Sequence, residues 1–133
     1  MRYILFCIVS LFSFTSTAIA QESDVRQVIQ NQIEAFQRND VESAFEFAAP
    51  SIKNIFGNSK RFGVMVQQGY PMVFKQRNLT FKEHNNAENT ALQDVLIEDM
   101  AGELHLLRYA MILLDGEWKI AGVELLRDVI VAA

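Results

Sequence analysis

Several residue types are scarce in this chain, and each scarcity removes a class of explanation. There is one cysteine, Cys7. It lies in an apolar N-terminal run, so the rest of the chain has no disulfide, no thiol nucleophile and no thiolate metal site. The only histidines, His84 and His105, sit on separate stretches without a helical His partner. No metal-ligand spacing results, and no metal or cofactor is expected. The two prolines, Pro50 and Pro71, both fall at changes of pattern. There is no Gly-x-Ser-x-Gly nucleophile context and no glycine-rich phosphate loop. Positive charge is also short: 12 basic residues face 16 acidic ones, a net charge of −4. That balance argues against nucleic acid as a partner.

What is present begins with an address. Arg2 supplies a short positive region, Tyr3 to Phe14 form an apolar run, and Thr17-Ala18-Ile19-Ala20 ends in a small-x-small pattern. This predicts a signal peptide, residues 1–20, cleaved after Ala20, and a periplasmic or secreted mature chain. The run is shorter than the ~20 apolar residues of a spanning helix, so no stable membrane insertion is expected after cleavage. Residues 21–133 then form a single domain, which must stand on its apolar core or on a partner that extends it. Between Ser51 and Lys82 lie Lys53, Lys60, Arg61, Lys75, Arg77 and Lys82 with no acid. The plain reading is a solvated face; the sharper one is a patch for an acidic partner or an anionic ligand.

Apolar residues Val25, Val28, Ile29, Ile33 and Phe36 recur at helical spacing, and Ser23 is the expected cap. Asn39 suits a left-handed C-terminal position and Asp40 can cap the next helix, whose stripe is Ala44, Phe45 and Ala48 before Pro50 stops it. Ser51 and Ser59 are expected to open two further short helices, ending at Gly57 and Gly69. After Pro71 the period changes to two. Leu79 and Phe81 mark a first strand before a turn at Asn85-Asn86, residues 92–99 a second, and residues 103–114 a third that is apolar on both faces. Asp115-Gly116 is a strong hairpin signal, leading into a strand from Glu117 to about Arg127. A bulge at Ala121-Gly122 would bring Trp118, Ile120, Val123 and Leu125 onto one surface.

This order predicts an α+β fold, with N-terminal helices packed on a curved four-stranded antiparallel sheet. A helical hairpin, a further helix and a sheet closing on the Gly-x-Trp-Lys-Ile strand resemble the nuclear transport factor 2-like superfamily, also called ketosteroid-isomerase-like. More specifically, Ala49-Pro50-Ser51-Ile52, Arg61 to Val73 (RFGVMVQQGYPMV) and Trp118 to Val123 (WKIAGV) resemble a bacterial family filed as domain of unknown function 4864. The resemblance spans most of residues 24–127. It implies the cone-like fold and an envelope location, and no activity.

A cone site needs polar groups in an apolar pocket. The candidates are Arg108, Tyr70, Trp118, Tyr109 and, at the rim, Arg61. Arg108 interrupts an apolar face, where a guanidinium requires an anion or several acceptors. That partner is either a ligand or an acid such as Glu124 or Glu46. Tyr109 points the other way on a regular strand, so only one of the two can line a pocket. No catalytic residue is assigned. The leading reading is a non-enzymatic envelope domain that binds a small apolar or anionic ligand in its cone or assembles, as a homodimer, through its sheet. The alternative is a cone-type isomerase, dehydratase or hydrolase.

Overall fold

The computed structural model describes residues 16–129. Residues 1–15, most of the expected signal peptide, and residues 130–133 of the apolar tail lie outside the described residues. Five helices come first: α1 (Ser16–Gln37), α2 (Val41–Glu46), α3 (Pro50–Phe56), α4 (Ser59–Gly69) and α5 (Pro71–Phe74). Four strands follow: β1 (Asn78–Asn86), β2 (Thr90–Glu98), β3 (Leu104–Leu114) and β4 (Glu117–Val129). They pair antiparallel in chain order.

The apolar stripe of α1 is the centre of the core: Val25, Ile29, Ile33 and Phe36 are at most 1% exposed. Burying each such side chain contributes roughly 1.5–3 kcal/mol. Asn39 adopts φ 57°, and the Asp40 carboxylate accepts from the Ser43 amide at 3.1 Å, closing the helical hairpin as its residues predict. Other boundaries differ. Ser23 sits inside α1 instead of capping it, because Ala18, Ala20, Gln21 and Glu22 are good helix formers and nothing breaks the run. Pro50 opens α3 at its first turn, where its missing N–H costs nothing, and Asn58 caps α4 by accepting from the Arg61 amide at 2.9 Å. Pro71 likewise opens the extra turn α5, whose Met72, Val73 and Phe74 are buried. The first strand continues through Asn86, and its turn lies after it.

Asp115 and Gly116 take φ 51° and 78°, the paired positive values of a tight hairpin. In the β3–β4 ladder Met111 faces Ile120 but Ala110 faces Gly122, leaving Ala121 unpaired. This bulge puts Trp118, Ile120 and Val123 in register with Leu113, Met111 and Tyr109 on the helix-covered inner face. A second shift leaves Leu126 over, and a third in β1 sets Lys82 and Glu83 against one partner residue. The fully buried Gln93 donates to both bulge carbonyls at 3.3 Å.

Helices α2 and α4 approach closely at Gly63, where a Cβ would lie 2.6 Å from Val41 Cγ1. Gly63→Ala is expected to cost about 1–3 kcal/mol in urea unfolding, and adding Val41→Ala should recover most of it. Independent, additive effects would contradict this packing.

The β2–β3 hairpin is clasped by His105, which is 7% exposed. Its Nε2 lies 2.8 Å from an Asp99 oxygen and its Nδ1 2.5 Å from one of Asp128. The other Asp99 oxygen accepts from the amides of Ala101 and Glu103 at 2.9 Å. Burial opposes charge on His105, but the carboxylates on either side outweigh it and raise the pKa. The His105 hydrogen bond chiefly, with the turn amides, lowers that of Asp99. The raised His105 contributes stability that is complete below its unfolded value, about 6.5, and is lost as pH rises through the folded value. The lowered Asp99 contributes stability that is complete above about 3.9 and is lost as pH falls. The melting-temperature advantage of wild type over His105→Gln should therefore be greatest between about pH 4 and 6.5 and shrink toward pH 9. A constant advantage across that range would contradict the clasp.

Candidate ligand cavity

The inner face is not filled everywhere. Between α1, α3, α4 and the bulged part of β4 lies a cavity of about 290 Å³. Its walls are apolar: Phe36 on α1, Ile52, Ile55 and Phe56 on α3, Phe62, Met65 and Val66 on α4, then Val73, Ile120 and Val123. The local sequence explains why the space is there. Helix α3 has seven residues between Pro50 and the left-handed Gly57 (φ 79°), and none of them is buried. It roofs the cavity without plugging it, while Ala48 and Gly122 keep the floor thin. Phe62 organises the inner wall, with ring centroids 5.8 Å from Phe36, 5.3 Å from Phe45 and 5.8 Å from Phe56.

Two polar side chains reach the wall, and each has a main-chain partner. Gln32, 3% exposed, donates from Nε2 to the Ala44 carbonyl at 3.1 Å. The Tyr70 hydroxyl donates to the Val123 carbonyl at 3.1 Å, tying the end of α4 to the bulged strand. No Asp, Glu, His, Lys or Arg lines the space.

The five candidate residues do not converge. Tyr70 lines the cavity. Tyr109 shares the inner face but is wholly buried behind it, its hydroxyl unpaired. Burial, with a smaller contribution from Tyr70, pushes that phenol's pKa far up. Trp118 is buried at the hairpin end of the sheet beside Phe47, where it borders a separate depression. Arg61 is exposed at the start of α4 and borders a shallow groove with Asn58, Lys60 and Val64. Arg108 points away from the helices. On the outer face its Nε and Nη2 donate to the two Asp94 oxygens at 2.8 and 3.0 Å, with Glu124 opposite it on β4. Because the helices cover the Tyr109 face, Arg108 does not face the pocket, and its anion is Asp94, the cross-strand neighbour on β2, and not Glu124 or Glu46. The apolar wall residues on α3 and α4 were read from sequence only as helix stripes, because nothing local says that a buried stripe borders a void.

One metal-like cluster exists among the described residues: Asp99, Glu103 and His105 bring ligand atoms within 4.8 Å of one another. Both His105 ring nitrogens already face carboxylates, so hydrogen bonding accounts for the arrangement. Among the described residues no helix is long and apolar enough to cross a membrane.

Known structures share this architecture. A crystal structure of an NTF-2 like protein of unknown function from Shewanella oneidensis has a TM-score of 0.57 at 14% identity, covering 79% of this chain and 98% of that one. One from Silicibacter pomeroyi gives 0.57 at 13% identity, covering 82% and 98%. A structure from Catenulispora acidiphila in complex with S-DNPA gives 0.54 at 15% identity, covering 80% and 92%. These likenesses show the nuclear transport factor 2-like fold. No curated protein matches the chain. The model of the family described as domain of unknown function (DUF4864) matches residues 18–132, nearly the whole chain, and the protein belongs to that family.

Proposed function

We propose that this protein is a non-enzymatic envelope domain that holds a small apolar molecule in the cavity under α3. The observation that carries the reading is the cavity itself: it is near the lower end of the range of small-molecule sites, open at a helix with no buried residue, and lined by apolar side chains apart from Gln32 and Tyr70. An acid–base enzyme would need a carboxylate or imidazole with a shifted pKa at the reacting atoms, and none stands on this wall. The Catenulispora structure in complex with S-DNPA is a precedent for a small molecule on this fold, at an identity too low to carry the ligand over. The envelope assignment comes from the leader-like N-terminus.

The test is a titration with the neutral apolar fluorophore N-phenyl-1-naphthylamine. Saturable enhancement is expected, and Val66→Phe and Val123→Phe, which fill the cavity, should each weaken it roughly tenfold while the fold is kept. No saturable binding, or binding indifferent to both substitutions, would end this reading.

A second reading, assembly through the sheet, has its own observation. Among the described residues the outer face has no helix over it, and it carries Leu92 at 40% exposure with the half-buried Leu96, Leu104, Leu106 and Ile112 around the Arg108–Asp94 pair. Such a face suits a self-complementary homodimer. Sedimentation equilibrium at micromolar concentration is expected to give a dimer that Leu106→Glu dissociates. A monomer would remove this reading and leave the cavity untouched.

A further inference from the structure

We infer that the occupant of the cavity is an amphiphile with one alkyl chain and an anionic head, the chain inside and the head at the mouth beside Arg61. This rests on the cavity being a ligand site, and four observations specify the chemistry.

Both polar side chains on the wall are engaged with main chain, Gln32 through one N–H to the Ala44 carbonyl and Tyr70 to the Val123 carbonyl. A carboxylate or carbonyl placed inside would be stripped of water and find at most the second N–H of the Gln32 amide, too little to replace its hydration. The enclosed part of the guest is therefore hydrocarbon. A volume of about 290 Å³, at roughly 30 Å³ for a group the size of water, holds a chain of about ten carbons.

The mouth lies on the α3–α4 side. Ile55 lines the cavity yet is 72% exposed, and Ile52, Phe56 and Met65 are only partly buried. A chain longer than the cavity would emerge past these residues, and its head would sit in water among whatever charges stand there.

On the α4 rim those charges are positive. Arg61 lies one turn before the wall residue Met65 on α4, a spacing that makes their side chains neighbours. Lys60 adjoins it, and both are exposed. Among the described residues neither enters an ion pair, whereas Lys53 is engaged by Glu46 at 3.6 Å. No acid occurs between Ser51 and Lys82 to offset them. An exposed guanidinium beside an apolar opening attracts an anion and repels a cation on the same chain.

Calorimetric titration of the purified protein with four ten-carbon probes tests this, each below its micelle concentration: decanoate, decyl phosphate, decanol and decyltrimethylammonium. Both anions should bind about fivefold or more tightly than decanol, and the ammonium more weakly than decanol. The tighter of the two anions identifies the head as carboxylate-like or phosphate-like. Arg61→Glu, at an exposed position, should abolish the preference for anions while leaving decanol unchanged. Equal binding of all four probes, or an Arg61→Glu loss shared by decanol, would overturn the anionic head and leave the cavity reading standing. Failure of every probe, decanol included, would instead sink the cavity reading itself.

Discussion

The backbone of Ile120 serves two structures at once. On one side it pairs with Met111 in the β3–β4 ladder. On the other, its N–H donates to the Phe47 carbonyl and its carbonyl accepts from the Ala49 amide, both at 2.8 Å. Edge strands ordinarily leave such groups to water. Here they bind the link between α2 and α3 to the strand at the residue before the bulge. Because the bulge bends β4 at the point where the helices are attached, α3 stands off from the sheet instead of collapsing onto it. The cavity is a consequence of that attachment.

The polar side chains divide by face in a way that follows from the cost of burying them. Inside, Gln32, Gln93 and Tyr70 spend hydrogen bonds on main-chain carbonyls, two of them in the β1 bulge. Gln93 also accepts from Arg26 and from the ring of His84, linking α1 to the first strand. Among the described residues two buried polar atoms lack a partner, Gln76 Nε2 and the Tyr109 hydroxyl, each at a cost of about 1–3 kcal/mol. Outside, Arg108 and Asp94 satisfy each other in a two-pronged pair, with the Asp94 side chain 8% exposed beneath the guanidinium. The charged groups thus hold the sheet's shape and, among the described residues, stay off the cavity wall.

Element types were largely legible in the sequence, since the period of α1, the Asn39-Asp40 hairpin, the Asp115-Gly116 turn and the Ala121 bulge are all local patterns with a steric cause. Helix starts near Pro50 and Pro71 were misplaced because proline can end one helix or open the next, and only the packing of Met72, Val73 and Phe74 decides. The site was less legible. Alternation shows that Arg108 and Tyr109 face opposite ways, but which face receives the helices is a property of the assembled sheet. The place of Tyr70 between Gly69 and Pro71 singles it out as a junction residue, and it lines the cavity. The walls on α3 and α4 look, residue by residue, like any core stripe. A void is defined by what fails to fill it, and that is written in the lengths of several elements together.

A guest held in this space would add its own mass to that of the chain. A native mass spectrum of the protein purified gently from bacterial periplasm measures it directly. A discrete added mass that disappears on denaturation is expected, at one copy per chain whether or not the chain dimerises. A protein that reaches the detector at its bare polypeptide mass, from a preparation in which weak non-covalent ligands of a control protein survive, would contradict it.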